Sequence, residues 1–184
     1  MSQLQPNSNL TIIAMLPFSQ TGNAGSTLSH VVIPAGGRDR VRVQYVNATS
    51  DKAASLLTFK APTTSTVVTA TSASNQAVVN CVPYTGAAAN DVVVLFSLAT
   101  GTGVRGVVTS VQAGVSITLT ANLGLALAPG DTVHLMATKA QIPVGAATKE
   151  ANAPTVFVVL EGPALIELDG TTACRINLVA GEYS

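Results

Sequence analysis

The sequence predicts an all-β fold, a β-sandwich or barrel with little or no helix. Three observations carry that expectation. Short apolar runs alternate along the chain with Gly, Pro, Asn, Ser and Asp; Val, Thr and Ile dominate those runs; and no stretch sustains a 3.6-residue period with caps. β-Branched side chains are stiff at χ1 and fit a pleated surface.

In chain order, strands are expected first at Thr11–Leu16, Leu28–Ile33 and Val41–Val46. Leu56–Phe59, Val67–Thr71, Val78–Val82 and Val92–Phe96 follow, each an apolar run bounded by turn formers. Next come Arg105–Val111, Ser116–Thr120 and Thr132–Ala137, then Thr155–Leu160, Leu165–Leu168 and Ala173–Leu178. Several alternate as strands with one wet face should. Ile117 and Leu119 point away from Ser116, Thr118 and Thr120; Cys174, Ile176 and Leu178 oppose Arg175 and Asn177. The best helical candidates, Ser50–Leu56 and Asn122–Ala128, offer only a turn or two.

Two composition breaks suggest a domain boundary. Ala61-Pro62-Thr63-Thr64-Ser65 reads as linker-like, and so does Lys139 to Pro154 with its Pro143, Gly145 and small residues. The expected organisation is a discontinuous β-sandwich-like host domain, residues 1–62 and 140–184, carrying a small β-barrel inserted at 65–138. One continuous sandwich is the alternative.

Of the 184 residues, 47% are hydrophobic and only 10% charged, where an ordinary domain has about a quarter charged. So weakly charged a surface is easily buried against neighbouring subunits, which favours an assembly component. A formal net charge of zero argues against nucleic-acid binding, which needs a basic surface. With no Trp and 4% aromatics, stacking platforms for sugars or bases are not expected. Cys81 and Cys174 read as small buried hydrophobes, with one long-range disulfide left open. Met1 to Pro6 lacks the features of a signal peptide, and no window approaches a membrane span. Synthesis in the cytosol is therefore expected, and the Asn9-Leu10-Thr11 and Asn47-Ala48-Thr49 sequons read as chance matches.

Asn90-Asp91-Val92-Val93-Val94-Leu95-Phe96 is echoed by Gly130-Asp131-Thr132-Val133-His134-Leu135-Met136. Each sets a turn Asp just before a strand, where its carboxylate can accept from backbone N–H groups of the turn. Between them lie Gly101-Thr102-Gly103 as a hairpin tip, the strand Val104–Val111, the tight turn Ala113-Gly114 and the strand Ser116-Ile117-Thr118-Leu119-Thr120. The series is a meander expected to close on itself, which removes exposed edges. This segment, about residues 66–137, resembles the small β-barrels of tailed-phage and prophage structural proteins. The flanking domain is similar in size and composition to capsid decoration (cement) proteins, which brace assembled shells.

Little in the chain suggests catalysis. His30 and His134 have no second ligand at metal spacing, and no metal or cofactor is expected. The acids are scattered; Asp51, Asp91, Asp131 and Asp169 sit at expected turns, and only Glu167 and Asp169 have the spacing to share one strand face. There is no nucleophile elbow, phosphate loop or Cys-x-x-Cys. The glycines fall where hairpins must turn.

Two segments are candidate contacts. Arg38, Arg40 and Arg42 would share one face of a strand, three of the nine basic residues on one stripe. That stripe is either a solvated face balanced by nearby acids or a contact with an acidic patch on a neighbouring subunit. The polar arm Met1–Asn9, with Leu4 and Pro6, would be disordered alone and could order along a partner.

Together, residues and resemblance imply a non-enzymatic virion structural protein of a bacteriophage, a decoration protein on the capsid exterior made in the host cytoplasm. Its expected partners are the major capsid protein or other virion subunits and further copies of itself, a trimer being consistent with the resemblance; neither nucleic acid nor membrane is among them. A tail, tail-tip or fibre-attachment subunit is one alternative. A bacterial surface or polysaccharide-binding β-module is another.

Overall fold

The alternating, β-branched runs form strands throughout the parts of the chain that the computed structural model describes: residues 10–14, 20–21, 28–33, 40–52, 54–144, 151–153, 158–170 and 174–183. In order these are β1 (Leu10–Ala14), β2 (Gln20–Thr21), β3 (Leu28–Ile33), β4 (Arg40–Ser50), β5 (Ser55–Val67), β6 (Val78–Asn80) and β7 (Val92–Ser97). They continue as β8 (Thr102–Gln112), β9 (Ser116–Leu119), β10 (Thr132–Val144), β11 (Ala151–Ala153), β12 (Val158–Glu161), β13 (Ala164–Asp169) and β14 (Cys174–Tyr183). The protein is all-β, with no helix among the described residues.

Two antiparallel sheets result. The smaller runs β1-β14-β4-β11, with β12 also on β4 and β2 on β14. The larger runs β3-β13-β5-β10-β7-β8-β9-β6 and is open. Its middle is a long ribbon in which β5 and β10 pair from Ser55↔Val144 to Val67↔Thr132. β13 flanks the ribbon only along Leu57–Lys60 of β5, and β7 only along Thr132–Leu135 of β10. The ribbon therefore carries one set of strands at each end.

This ribbon corrects one expectation. Ala61–Ser65 and the first part of Lys139–Pro154 were expected as linkers, but Ala61–Ser65 lies inside β5 and Lys139–Val144 inside β10. Proline costs a strand its ladder hydrogen bond only where its N–H would face a partner. Pro62 lies beyond the stretch of β5 that β13 pairs, and Pro143 beyond the stretch of β10 that β7 pairs. The register slips by one at Thr63, between the pairs Leu135↔Thr64 and Met136↔Pro62, and again at Lys139. Such bulges absorb a proline and sharpen the twist.

The core divides along the ribbon. One cluster joins Ala48, Cys174 and Ile176 of the smaller sheet to Leu57, Phe59, Ala61, Val144, Ala164, Ile166 and Leu168 of the larger, so the two sheets meet there face to face. A second is drawn wholly from residues 68–133, with Val79, Cys81, Val93, Leu95, Ile117, Leu127 and Val133 at its centre. A third, small cluster of Val94, Met136 and Leu165 bridges the two regions. Cys81 and Cys174 occupy different clusters, and no disulfide joins them.

The meander of residues 66–137 does not close by a ladder. The chain leaving β5 meets the chain leaving β6 through one bridge, Val68↔Cys81. Thr69 N–H donates to the Asn80 carbonyl at 2.8 Å, and the Thr66 hydroxyl to the Val82 carbonyl at 2.6 Å. Where Val67–Thr71 was expected as a strand, Val67 ends β5, and Val68 and Ser72 form only isolated bridges.

Candidate functional site

Two of the salt bridges among the described residues meet on one carboxylate, where the larger sheet folds over itself. On β13, Ala164, Ile166 and Leu168 face the first core, so alternation sends Leu165 and Glu167 to the opposite face. There Glu167 stands across from His30 of β3 and Thr58 of β5. From the other end of the ribbon comes β8, whose Arg105 lies opposite Val94 of β7; Val94 in turn lies opposite His134 of β10. Directly paired residues share a face. Arg105, Val94 and His134 thus look across the seam toward β3 and β13, and both histidines border it.

The approach is close. A Cβ on Gly103 of β8 would come within 2.8 Å of Val32 Cγ1 on β3, so only glycine fits there. Beside this contact Glu167 accepts a hydrogen bond from Arg105 Nε, and Lys60 Nζ lies 2.6 Å from Glu167 Oε2. The Glu167 side chain is 8% exposed, and those of Lys60 and Arg105 are 14% and 19%. A carboxylate so deep is tolerated because both its oxygens meet a cation. Burial pushes Glu167 upward, but the bonds from Lys60 and Arg105 outweigh it and hold the acid below its ordinary value. His30 is lowered by burial and by the Arg105 charge, against a smaller opposing pull from Glu167. His134 is lowered by burial alone, and its Nε2 lies 2.8 Å from the Thr132 hydroxyl. Both rings are therefore neutral at pH 7.

The other notable carboxylates hold turns. Asp91 accepts from the Ala88 N–H at 2.9 Å and the Tyr84 hydroxyl at 2.7 Å. Asp131 accepts from the Ala128 N–H and the Leu98 N–H, both at 2.8 Å. Each turn puts its penultimate residue in the left-handed region, Asn90 at φ 72° and Gly130 at φ 99°. The two echoed segments thus use one turn twice, with the carboxylate bonding that the sequence implied. Asp169 caps the β4–β5 turn: it pairs with Lys52 and accepts from the Leu56 N–H at 3.1 Å, while its carbonyl lies 2.7 Å from Ser50 Oγ.

Of the arginine stripe, the structure places Arg40 and Arg42 in β4, opposite Glu161 and Val159 of β12; Arg42 also pairs with Gly181 of β14. This part of β4 is thus flanked on both sides within its sheet. Arg38, Leu4 and Pro6 lie outside the described residues. Glu167 and Asp169, the two acids of one strand face, are drawn apart by different partners, Lys60 and Arg105 for one and Lys52 for the other. Sequence reasoning missed the seam cluster. Its only signal was a charge set among apolar neighbours, Lys60 between Phe59 and Ala61 in β5 and Glu167 between Ile166 and Leu168 in β13.

No group of three or more His, Cys, Asp or Glu among the described residues could hold a metal ion, and no described helix is long and apolar enough to cross a membrane. Searches with the sequence against protein-family models and curated proteins, and with the structure against solved structures, find no match.

Proposed function

We propose that this chain is a non-enzymatic structural subunit of a phage particle, a decoration protein that binds the outside of the head. The observation that carries the reading is where four of its nine acids go. Glu167, Asp91, Asp131 and Asp169 are each bound to a cation, a tyrosine hydroxyl or backbone N–H groups that hold the fold. Side chains so engaged serve shape. Half-exposed apolar residues, Val67, Val82, Val115 and Leu98, remain on the 65–138 region, and burying apolar area at subunit joints is how such a protein would brace a shell. The resemblance of residues 66–137 to phage structural barrels supports the same class.

The test is co-sedimentation with empty heads assembled from the major capsid protein encoded in the same genome. Saturable binding, with heads that withstand more heat or urea, is expected. A chain that ignores heads overturns the decoration reading, and head-to-tail polymerisation or binding to tails replaces it with the tail reading.

A further inference from the structure

We infer that the seam between β8 and β3–β13 is an acid-sensitive latch, closed by the Lys60–Glu167–Arg105 cluster and opened when the two bordering histidines take up protons. The inference does not depend on the virion reading.

The 65–138 region is continuous with the rest of the chain only through β5 and β10, and each of those strands carries a bulge in their shared ribbon. A bulged two-stranded ribbon with one unflanked edge on each strand is the natural place to bend. Among the described residues, what holds the two ends together beyond the ribbon is a small contact. It consists of Val94, Met136 and Leu165 with Val32 and Val92 packed on them, the close approach of Gly103 to Val32, and the ion cluster. Five apolar side chains, two of them only partly buried, make a small joint, so the ion cluster is a large share of it.

The charges then set the direction. The cluster holds two cations against one carboxylate, so it is already one positive charge in excess. The charged groups facing His30 are Glu167 from β13 and Arg105 from β8, while Lys60 of β5 reaches Glu167. β2 and β14 also pack on β3; β2 has no ionisable residue, and β14 carries Cys174, Arg175, Glu182 and Tyr183. His134 borders the same seam, with Arg105 the nearest charge along its row. A proton on either ring adds a second uncompensated charge to a partly desolvated joint. Opening the seam gives that charge to water. The chain's only two histidines thus both sit where protonation pries the halves apart.

Met136 provides the readout. It is 5% exposed and belongs to the bridging cluster, so peroxide reaches its sulfur when the seam opens. Oxidation by hydrogen peroxide is followed by peptide mass at pH 7.5 and pH 5.0, with free methionine in the same tube as reference. Far-UV circular dichroism at both pH values reports whether the strands persist. The latch predicts that Met136 reacts several-fold faster at pH 5.0 with the β signal retained. His30→Gln and His134→Gln together are expected to abolish that acceleration, and Glu167→Gln to make Met136 fast at both pH values. Equal protection of wild-type Met136 at the two pH values overturns the inference. So does an acceleration that persists undiminished in the double histidine variant, or one that appears only with loss of the β signal. The wild-type and double-histidine arms decide the matter even if Glu167→Gln fails to fold.

Discussion

Ala54 holds φ at 61°, a left-handed conformation that disfavours any Cβ, on an exposed turn between β4 and β5. Ala54→Gly is expected to stabilise the protein by about 1 kcal/mol, read from urea denaturation, because the strain exceeds the extra entropy glycine loses. Asp131 is the opposite case. It is buried and is the acceptor for two backbone N–H groups, from Ala128 and Leu98. Asp131→Ala leaves both donors without that acceptor and is expected to cost about 2–3 kcal/mol in the same measurement. At this scale the sequence was most legible. Asp91 and Asp131 announced their turns because a carboxylate before a strand has local partners. The Glu167 cluster was not legible, since Lys60, Arg105 and Glu167 meet only after distant strands have paired.

Among the elements, β3 runs over the residues expected for it, and β4, β7 and β9 depart by a few residues at their ends. The errors concentrate in β5 and β10. Pro62, Pro143 and the small residues around them lower strand propensity, and local pattern could not see that each strand would have an unflanked edge at its proline. The short β2 and β11 had no apolar run to announce them; they exist only because β14 and β4 supply a template. The tip of β8 offers the sharpest test of how elements meet. Gly103 shows no positive φ and is there for closeness alone: a Cβ would press on Val32 Cγ1 at 2.8 Å and Phe96 Cδ2 at 3.3 Å. Gly103→Ala is expected to cost about 1–3 kcal/mol. Pairing it with Val32→Ala should recover part of that loss, and a double-mutant cycle measures the coupling.

For the whole molecule, pH is the revealing variable. The folded-state values of His30 and His134 lie below the ordinary 6.5, so the unfolded chain takes up protons first. Their contribution is complete above about pH 6.5 and is lost as pH falls through the lowered folded values. Glu167 is held below its ordinary 4.5, so its contribution is complete above that pH and drains away in stronger acid. Urea midpoints measured from pH 8 to pH 3 should therefore decline in two stages, with the first missing when both histidines are replaced. Charge balance gives a second expectation at this scale. With nine cationic and nine anionic residues and an isoelectric point near 6.7, light scattering of the pure chain should be greatest close to that pH.

The bulged ribbon has a consequence for how such a chain can change over generations. Everything between Thr64 and Leu135 leaves and re-enters through two residues that pair directly across a ladder, roughly 5 Å apart. Removing that stretch and joining the ends with a tight two-residue turn would leave an ordinary hairpin. Gain, loss or exchange of the whole passage therefore asks little of the strands on either side. A lineage carrying this scaffold could vary what it displays while keeping what it stands on.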